Sequence, residues 1–274
     1  MKNKILFAAL IMAVASISML SSCSRDAGKK VVVKGSTTVL PITQKAAEAF
    51  RAETKISVTV EGSGSGNGIK ALLDGTCDIA NSSREIQEKE KKKAAEKGIN
   101  VQEVVAAYDM IVPIVHPDNK IADITLDQLK GIYDGSISNW KQLGGKDEAI
   151  VVISRDTSSG TYEVWHEKVM KKTDVRKEAL LQASNGAIIA AVAGNSKALG
   201  YVGYGYLNSS VKPIMVNGVV GTLDNGKSGK FPVSRKLYMY VNKDKISAET
   251  DSFLKFLLSE KGQALVAETG FIPL

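Results

Sequence analysis

The chain has 274 residues, 44% of them hydrophobic and 24% charged, with a formal net charge of +7. That length admits one large domain or two lobes of ordinary size. Its lysines fall in runs mixed with acids, as in EIQEKEKKKAAEKG from Glu85 to Gly98, and are not interleaved with aromatics. This excludes nucleic acid as an expected partner and leaves a modest positive field suited to small anions.

At the start of the chain, Lys2 and Lys4 precede an apolar run from Ile5 to Leu20, followed by Leu20-Ser21-Ser22-Cys23. A charged segment, an apolar segment and small residues before a cysteine describe a lipoprotein signal over residues 1–22, with Cys23 as the acylated first residue of the mature protein. The apolar run is short for a membrane span. Residues 23–30 then read as a lipid-anchored linker, and the protein is expected outside the cytoplasmic membrane. Loss of the two leading lysines brings the charge to about +5 over about 250 residues. With Cys23 lipidated, Cys77 has no disulfide partner, and its setting in DGTCDIANSS reads as a small buried residue.

Next come KKVVVKGS, PITQKAAEAFRAET, KISVTVEGSGSG, NGIKALLDG and TCDIANSS, short β-branched runs alternating with helical ones. That alternation predicts an α/β lobe with a largely parallel sheet. VVAAYDMIVPIVHP is a long apolar strand, expected to break near Pro113 and to run from one lobe into another. ITLDQLKGIYDG predicts a helix opened by a capping box of Thr125 and Gln128. AIVVISRD reads as a strand, SGTYEVWHEKVM as a helix, and GAIIAAVAGNSKALGYVGYG as a helix followed by a strand. KFPVSRKLYMYVN is a second long strand, and TDSFLKFLLSEKGQALVAETG closes the chain with two amphipathic helices. Two long strands bracketing a central α/β block suggest one lobe inserted into another. Lobe 1 is expected over 31–110 plus 234–274, and lobe 2 over 111–233.

Three hydroxyl-rich loops join a predicted strand to a predicted helix: GSTT at 35–38, GSGSGNG at 62–68 and RDTSSGT at 155–161. A fourth stretch, ANSSRE at 80–85, follows the strand CDI. The first turn of a helix carries unpaired N–H groups and the positive end of its dipole. Glycine lets the backbone approach closely, and Ser or Thr adds a donor of adjustable direction. One such loop is an ordinary cap or turn, and GSGSGNG lacks the Gly-Lys-Ser/Thr ending of a nucleotide-binding loop. Three adjacent hydroxyls, Ser36, Thr37 and Thr38, can cap only once, so the surplus needs another acceptor. Several such loops at strand exits of an open α/β sheet make a cage for a tetrahedral oxyanion. Arg155, at a strand end four residues before Ser159, is the candidate cation, because a guanidinium offers paired planar donors. Arg84, after Ser82 and Ser83, is a second. Catalysis is not expected: His116 and His166 neighbour no activated serine, and no residue set has metal-ligand spacing. No cofactor is expected.

GSTTVLP, GSGSGNGIK, CDIANSSRE and SRDTSSGT, in that order, resemble the substrate-binding proteins of bacterial phosphate ABC transporters. The likeness continues through YDMIVPIVHP, LKGIYDGSISNWKQLGG and SNGAIIAAVAG…ALGYVGYG, covering nearly all of the mature chain. The resemblance implies a two-lobed periplasmic-binding-protein fold of type 2, with mixed sheets flanked by helices and a ligand cleft between lobes joined by two crossing strands. It implies capture of inorganic phosphate for an ABC importer, with a permease and an ATPase as partners and the membrane reached through lipid on Cys23. Carried onto this chain, the phosphate site would hold Ser36, Thr37, Thr38, Ser65, Ser83, Arg84, Arg155, Ser159, Gly160 and Thr161. One position departs: family members place an aspartate where Ser83 stands here. That aspartate accepts the proton phosphate keeps and sulfate lacks, so a smaller preference for phosphate over sulfate is expected. The alternatives are the same fold binding sulfate, molybdate or tungstate, or an exported phosphate-ester hydrolase.

Overall fold

The structure, a computed structural model, describes residues 30–274; the signal segment and Cys23 lie outside the described residues. It is a two-lobed α/β molecule whose strands form one continuous sheet path shared by both lobes, with helices packed on its faces. In lobe 1, β1 (Lys30–Gly35) lies between β2 (Ser57–Gly62) and β3 (Ile79–Ser82), all parallel. Helix α1 (Leu40–Thr54) returns the chain from β1 to β2, and α2 (Ser65–Leu73) from β2 to β3. Pro41 suits the first turn of α1, where an N–H would be unpaired in any case. The apolar stripe Ile42, Ala46, Ala47 and Phe50 packs onto Val31, Val33 and Ile79 of the sheet, with Phe253 and Leu257 beside it. Helix α3 (Glu88–Glu96) is mostly exposed, as its mixed charges require.

The two lobes are tied by β4 (Val101–Val115) and by the segment leading into β11 (Ser234–Asn242). Residues Val101 to Met110 of β4 pair antiparallel with β11, which in turn pairs with β3. From Ile111 onward β4 pairs instead with β8 (Ala198–Gly203), and at its end with β9 (Lys212–Pro213). Contrary to expectation, Pro113 does not break β4, which runs unbroken through it. The Pro113 carbonyl accepts from Ile214 N–H, so its nitrogen faces the short β9 edge and no long ladder loses a donor.

Lobe 2 continues with a two-stranded pair, β5 (Asp123–Ile124) and β10 (Met215–Val216), and with α4 (Leu126–Asp134). The Thr125–Gln128 capping box opens α4: Thr125 Oγ1 accepts from Gln128 N at 3.1 Å and Gln128 Oε1 from Thr125 N at 2.9 Å. Strand β6 (Val151–Arg155) lies parallel to β8 and β7 (Leu180–Gln182), and leads into α5 (Gly160–Lys168). Helix α6 (Asn185–Ala193) precedes β8, and the short α7 (Leu223–Lys227) precedes the return crossing. The core of this lobe gathers Trp140, Trp165, Tyr133 and Tyr201, with Tyr133 edge-on to Trp165 and tilted to Tyr201, and Trp165 stacking on Tyr201 at 4.2 Å. The chain ends in α8 (Ala248–Leu258) and α9 (Glu260–Glu268), which cover lobe 1. Cys77 is buried, and burial pushes its thiol up to about 12. No described helix is long and apolar enough to cross a membrane.

Candidate oxyanion site between the lobes

Four strand exits meet where the lobes face each other. In the first loop, Ser36 braces the turn that leads into α1: its Oγ accepts from Thr38 N at 3.1 Å and Val39 N at 3.4 Å. Thr37 and Thr38 are thereby free to turn toward lobe 2. Thr38 Oγ1 lies 3.0 Å from Thr161 Oγ1, across 123 residues of sequence and from one lobe to the other. The second loop is held against the first by glycine. A Cβ on Gly68 would sit 2.5 Å from Gly35 Cα, so only a bare backbone lets α2 start this close to the end of β1. This places Ser65 Oγ 3.3 Å from Ser83 Oγ, and Ser65 Oγ also accepts from Ser83 N at 3.1 Å.

The third loop comes from lobe 2. Ser159 caps α5 by accepting from Tyr162 N at 3.3 Å, leaving Gly160 and Thr161 to face lobe 1. A Cβ on Gly160 would lie 2.3 Å from Ser65 Oγ and 2.9 Å from Ser83 Oγ, so the absence of a side chain there admits both serines. Gly66 N donates to Ser158 O at 3.1 Å, a further tie between the second and third loops. Ser36, Thr37, Thr38, Ser65, Ser83, Ser159 and Thr161 are all buried. The first turns of α1, α2 and α5 thus open on one small volume, and their dipoles favour negative charge there.

Arg155, only 1% exposed, is fixed from two sides. Its backbone N–H donates to the Tyr201 hydroxyl at 3.2 Å, its Nε to Gln182 O at 3.0 Å and its Nη2 to Ala183 O at 2.9 Å. Its Nη1 is buried with no acceptor in the protein. Burial pulls the guanidinium below its ordinary value, against the pull of the neighbouring Asp156 carboxylate. Tyr206 is itself at the cleft, its hydroxyl donating to Thr37 O at 2.5 Å.

Arg84 stands apart from this group in its partners. Its Nη1 and Nη2 each donate to Glu90 at 2.8 Å, its Nη1 also to Glu85 O at 2.9 Å, and its Nε to Glu163 of α5. Gln87 Nε2 adds a bond to Glu163 at 2.9 Å. The guanidinium is therefore neutralised by carboxylates from both lobes, and its partners are acids, not the hydroxyls of the loops.

Three residues that the sequence did not single out belong to the cluster. Arg235, on β11, donates from Nη1 to Thr161 Oγ1 at 3.0 Å and lies 3.5 Å from Thr38 Oγ1 through Nη2. Asp109, on β4, holds it through Oδ2 at 2.9 and 2.7 Å. Burial pushes the Asp109 carboxyl up, against the pull of Arg235. Asn185, at the start of α6, donates from Nδ2 to Thr38 Oγ1 at 3.1 Å and to Thr37 Oγ1 at 3.4 Å. The two histidines have other partners: His116 Nδ1 accepts from Asp118 N at 3.2 Å, and His166 lies near Asp174 and stacks on Tyr162. Among the described residues no group of His, Cys, Asp and Glu is arranged to hold a metal.

Two α/β lobes, a pair of crossing segments and a buried nest of donors between them define a binding protein of the periplasmic type. Residues 21–261 match the PBP superfamily domain. The phosphate-binding protein PstS of Staphylococcus saprophyticus is 33% identical over 96% of this chain and 88% of its own length. PstS of Borreliella burgdorferi is 32% identical over 94% and 95%. A solved Clostridium perfringens structure with bound phosphate, described as a phosphate ABC transporter substrate-binding protein, superposes with a TM-score of 0.85 at 35% identity, over 90% of this chain and 100% of that one. The chain belongs to the PstS family of phosphate-binding proteins.

Proposed function

We propose that the protein captures inorganic phosphate in the cleft between its lobes and hands it to the permease and ATPase of an ABC importer. The observation that carries this reading is a set of buried donors between the lobes: Arg155 Nη1 has no acceptor in the protein, and Thr38 meets Thr161 and Ser65 meets Ser83 from distant parts of the chain. A buried donor left unpaired is costly, and a tetrahedral oxyanion satisfies several at once. In this reading Thr37, Thr38, Ser65, Ser83, Arg155, Gly160 and Thr161 face the anion, while Ser36 and Ser159 shape the helix starts. Arg84 acts indirectly, by joining the lobes. The lobes divide at Met110/Ile111 and Val233/Ser234, where β4 changes partner and β11 begins.

Arg155→Ala is expected to weaken phosphate binding by more than about 1.5 kcal/mol, the low end for hydrogen bonds to a charged group. Calorimetric titration checks it, and unchanged affinity removes Arg155 from the site. Named relatives are phosphate-binding proteins, which favours phosphate over sulfate, molybdate or tungstate as the guest.

The anchor forms a second part of the proposal. Cys23 carries lipid and tethers the protein outside the cytoplasmic membrane, as the Leu20-Ser21-Ser22-Cys23 sequence supports. Cys23→Ser is expected to move the protein from the membrane fraction to the soluble one. Retention of that variant in washed membranes rejects the lipid anchor.

A further inference from the structure

Arg235 hydrogen-bonds to three parts of the cleft: lobe 1's first loop, the β3 exit and the start of α5. Its Nη1 donates to Ser83 O at 3.2 Å and to Thr161 Oγ1 at 3.0 Å, and its Nη2 reaches Thr38 Oγ1 at 3.5 Å. The opposite edge of the guanidinium is clamped by Asp109 Oδ2, whose partner oxygen Oδ1 accepts from Tyr204 N at 2.9 Å. Asp109 and Arg235 sit on the two crossing strands, both buried.

The hydroxyls can be assigned by counting. A threonine hydroxyl has one hydrogen to give and two acceptor positions. Thr38 Oγ1 faces two obligate donors, Arg235 Nη2 and Asn185 Nδ2. The Asn185 amide is oriented independently, because its Oδ1 accepts from Gly203 N at 3.2 Å. With both acceptor positions filled, Thr38 must donate. Thr161 Oγ1 accepts from Arg235 Nη1 and from Thr38, so its own hydrogen also points away from them. Ser83 Oγ differs: its partner is Ser65 Oγ, and nothing fills its remaining acceptor position.

We propose that Arg235 is a positioning and specificity residue of the oxyanion site: clamped by Asp109 and assisted by Asn185, it fixes Thr38 and Thr161 as donors only. This rests on the reading of the cleft as an oxyanion site and assigns a direction to each of its hydroxyls. Thr38 gives its one hydrogen to Thr161, and Thr161 gives its own to an acceptor oxygen of the anion. The proton of hydrogen phosphate falls to a hydroxyl outside that pair, and Ser83, whose Oγ keeps an acceptor position to spare, is placed to take it.

The pair also makes a sign prediction. If Asp109 mattered only through its charge, removing that charge would tighten anion binding. If it acts as a clamp, Asp109→Asn weakens binding. The new amide nitrogen must face either the Arg235 fork or the Tyr204 N–H, donor against donor.

The test is calorimetric titration of wild type, Asp109→Asn, Arg235→Lys and Asn185→Ala with inorganic phosphate and with sulfate, with folding checked by thermal unfolding. Arg235→Lys keeps the charge but cannot serve Asp109, Thr38, Thr161 and Ser83 together, and is expected to lose about tenfold or more in affinity for both anions. Asp109→Asn is expected to weaken both, and Asn185→Ala to do so more mildly. In all three, Thr38 or Thr161 regains the freedom to accept a proton, so sulfate falls further than phosphate and the phosphate-to-sulfate ratio rises by about threefold. Equal losses for the two anions would mark a merely structural role and overturn the proposal, as would tighter binding by Asp109→Asn. Should Asp109→Asn fail to fold, the ratio in Arg235→Lys and Asn185→Ala decides. A wild type that binds neither anion removes the oxyanion reading itself, a different failure from a wild type that binds and variants whose ratio does not move.

Discussion

At the scale of single residues, the site works by dividing labour among similar side chains. Of the three hydroxyls at 36–38, Ser36 braces the turn into α1 and the two threonines face across the cleft. Ser159 and Thr161 divide in the same way at the start of α5. By the resemblance, Ser83 stands where well-studied family members are expected to carry an aspartate, and a hydroxyl is a weaker acceptor that repels a dianion less. Phosphate is therefore expected to bind more tightly than sulfate, but by a smaller margin than a carboxylate gives. Ser83→Asp is expected to widen that margin about tenfold, chiefly by expelling sulfate, since an unpaired carboxylate facing a dianion is costly. Titration of both proteins with both anions checks it; tighter binding of sulfate than phosphate by the wild type ends the argument.

At the scale of elements, the strand–loop–helix units were legible because their signals are local. The β-branched runs, the capping box at Thr125 and the glycine-and-hydroxyl loops each declare themselves within a few residues. The burial of Arg155 at the end of an apolar strand was legible for the same reason. Asp109, Arg235 and Asn185 were not, because their meaning lies in which distant strand they meet. Their sequence traces exist. Arg235 falls on the inward-facing alternation of SRKLYMYVN, between partly buried Ser234 and exposed Lys236, and Asp109 is an acid inside an apolar run. An acid and a base at inward positions of two paired strands point to a buried pair, and their registers prove adjacent, Arg235 opposite Asp109. Pro113 misled for a related reason: its cost in a sheet depends on which edge its nitrogen faces, which only the pairing reveals. The two-residue strands β5, β9 and β10 are too short to leave a periodic signal at all.

At the scale of the whole molecule, what remains is how the lobes stay together around a guest. Besides the crossing strands, the structure supplies a polar bridge beside the cleft: Arg84 and Gln87 of lobe 1 both bond Glu163 in the first turn of α5. Arg84 is 6% exposed and the Glu163 side chain 21%, so the pair is largely shielded from salt and solvent. Because α5 also presents Gly160 and Thr161 to the anion, pulling its first turn toward lobe 1 brings the donors into place. The bridge therefore adds to affinity by favouring the closed arrangement, without touching the ligand. Glu163→Gln keeps the shape and removes the charge. It is expected to weaken phosphate binding by about 1 kcal/mol, within the range of partly exposed ion pairs. The loss should appear as faster release with little change in association, because release requires the lobes to part. It should be equal for phosphate and sulfate, which separates it from changes at Ser83 or Arg235 that act on the anion's own hydrogen bonds. Stopped-flow measurement of both rates decides. Release that is unchanged, or binding that tightens because a negative charge has left the neighbourhood of an anion, would show Glu163 acting through its field and not as a latch.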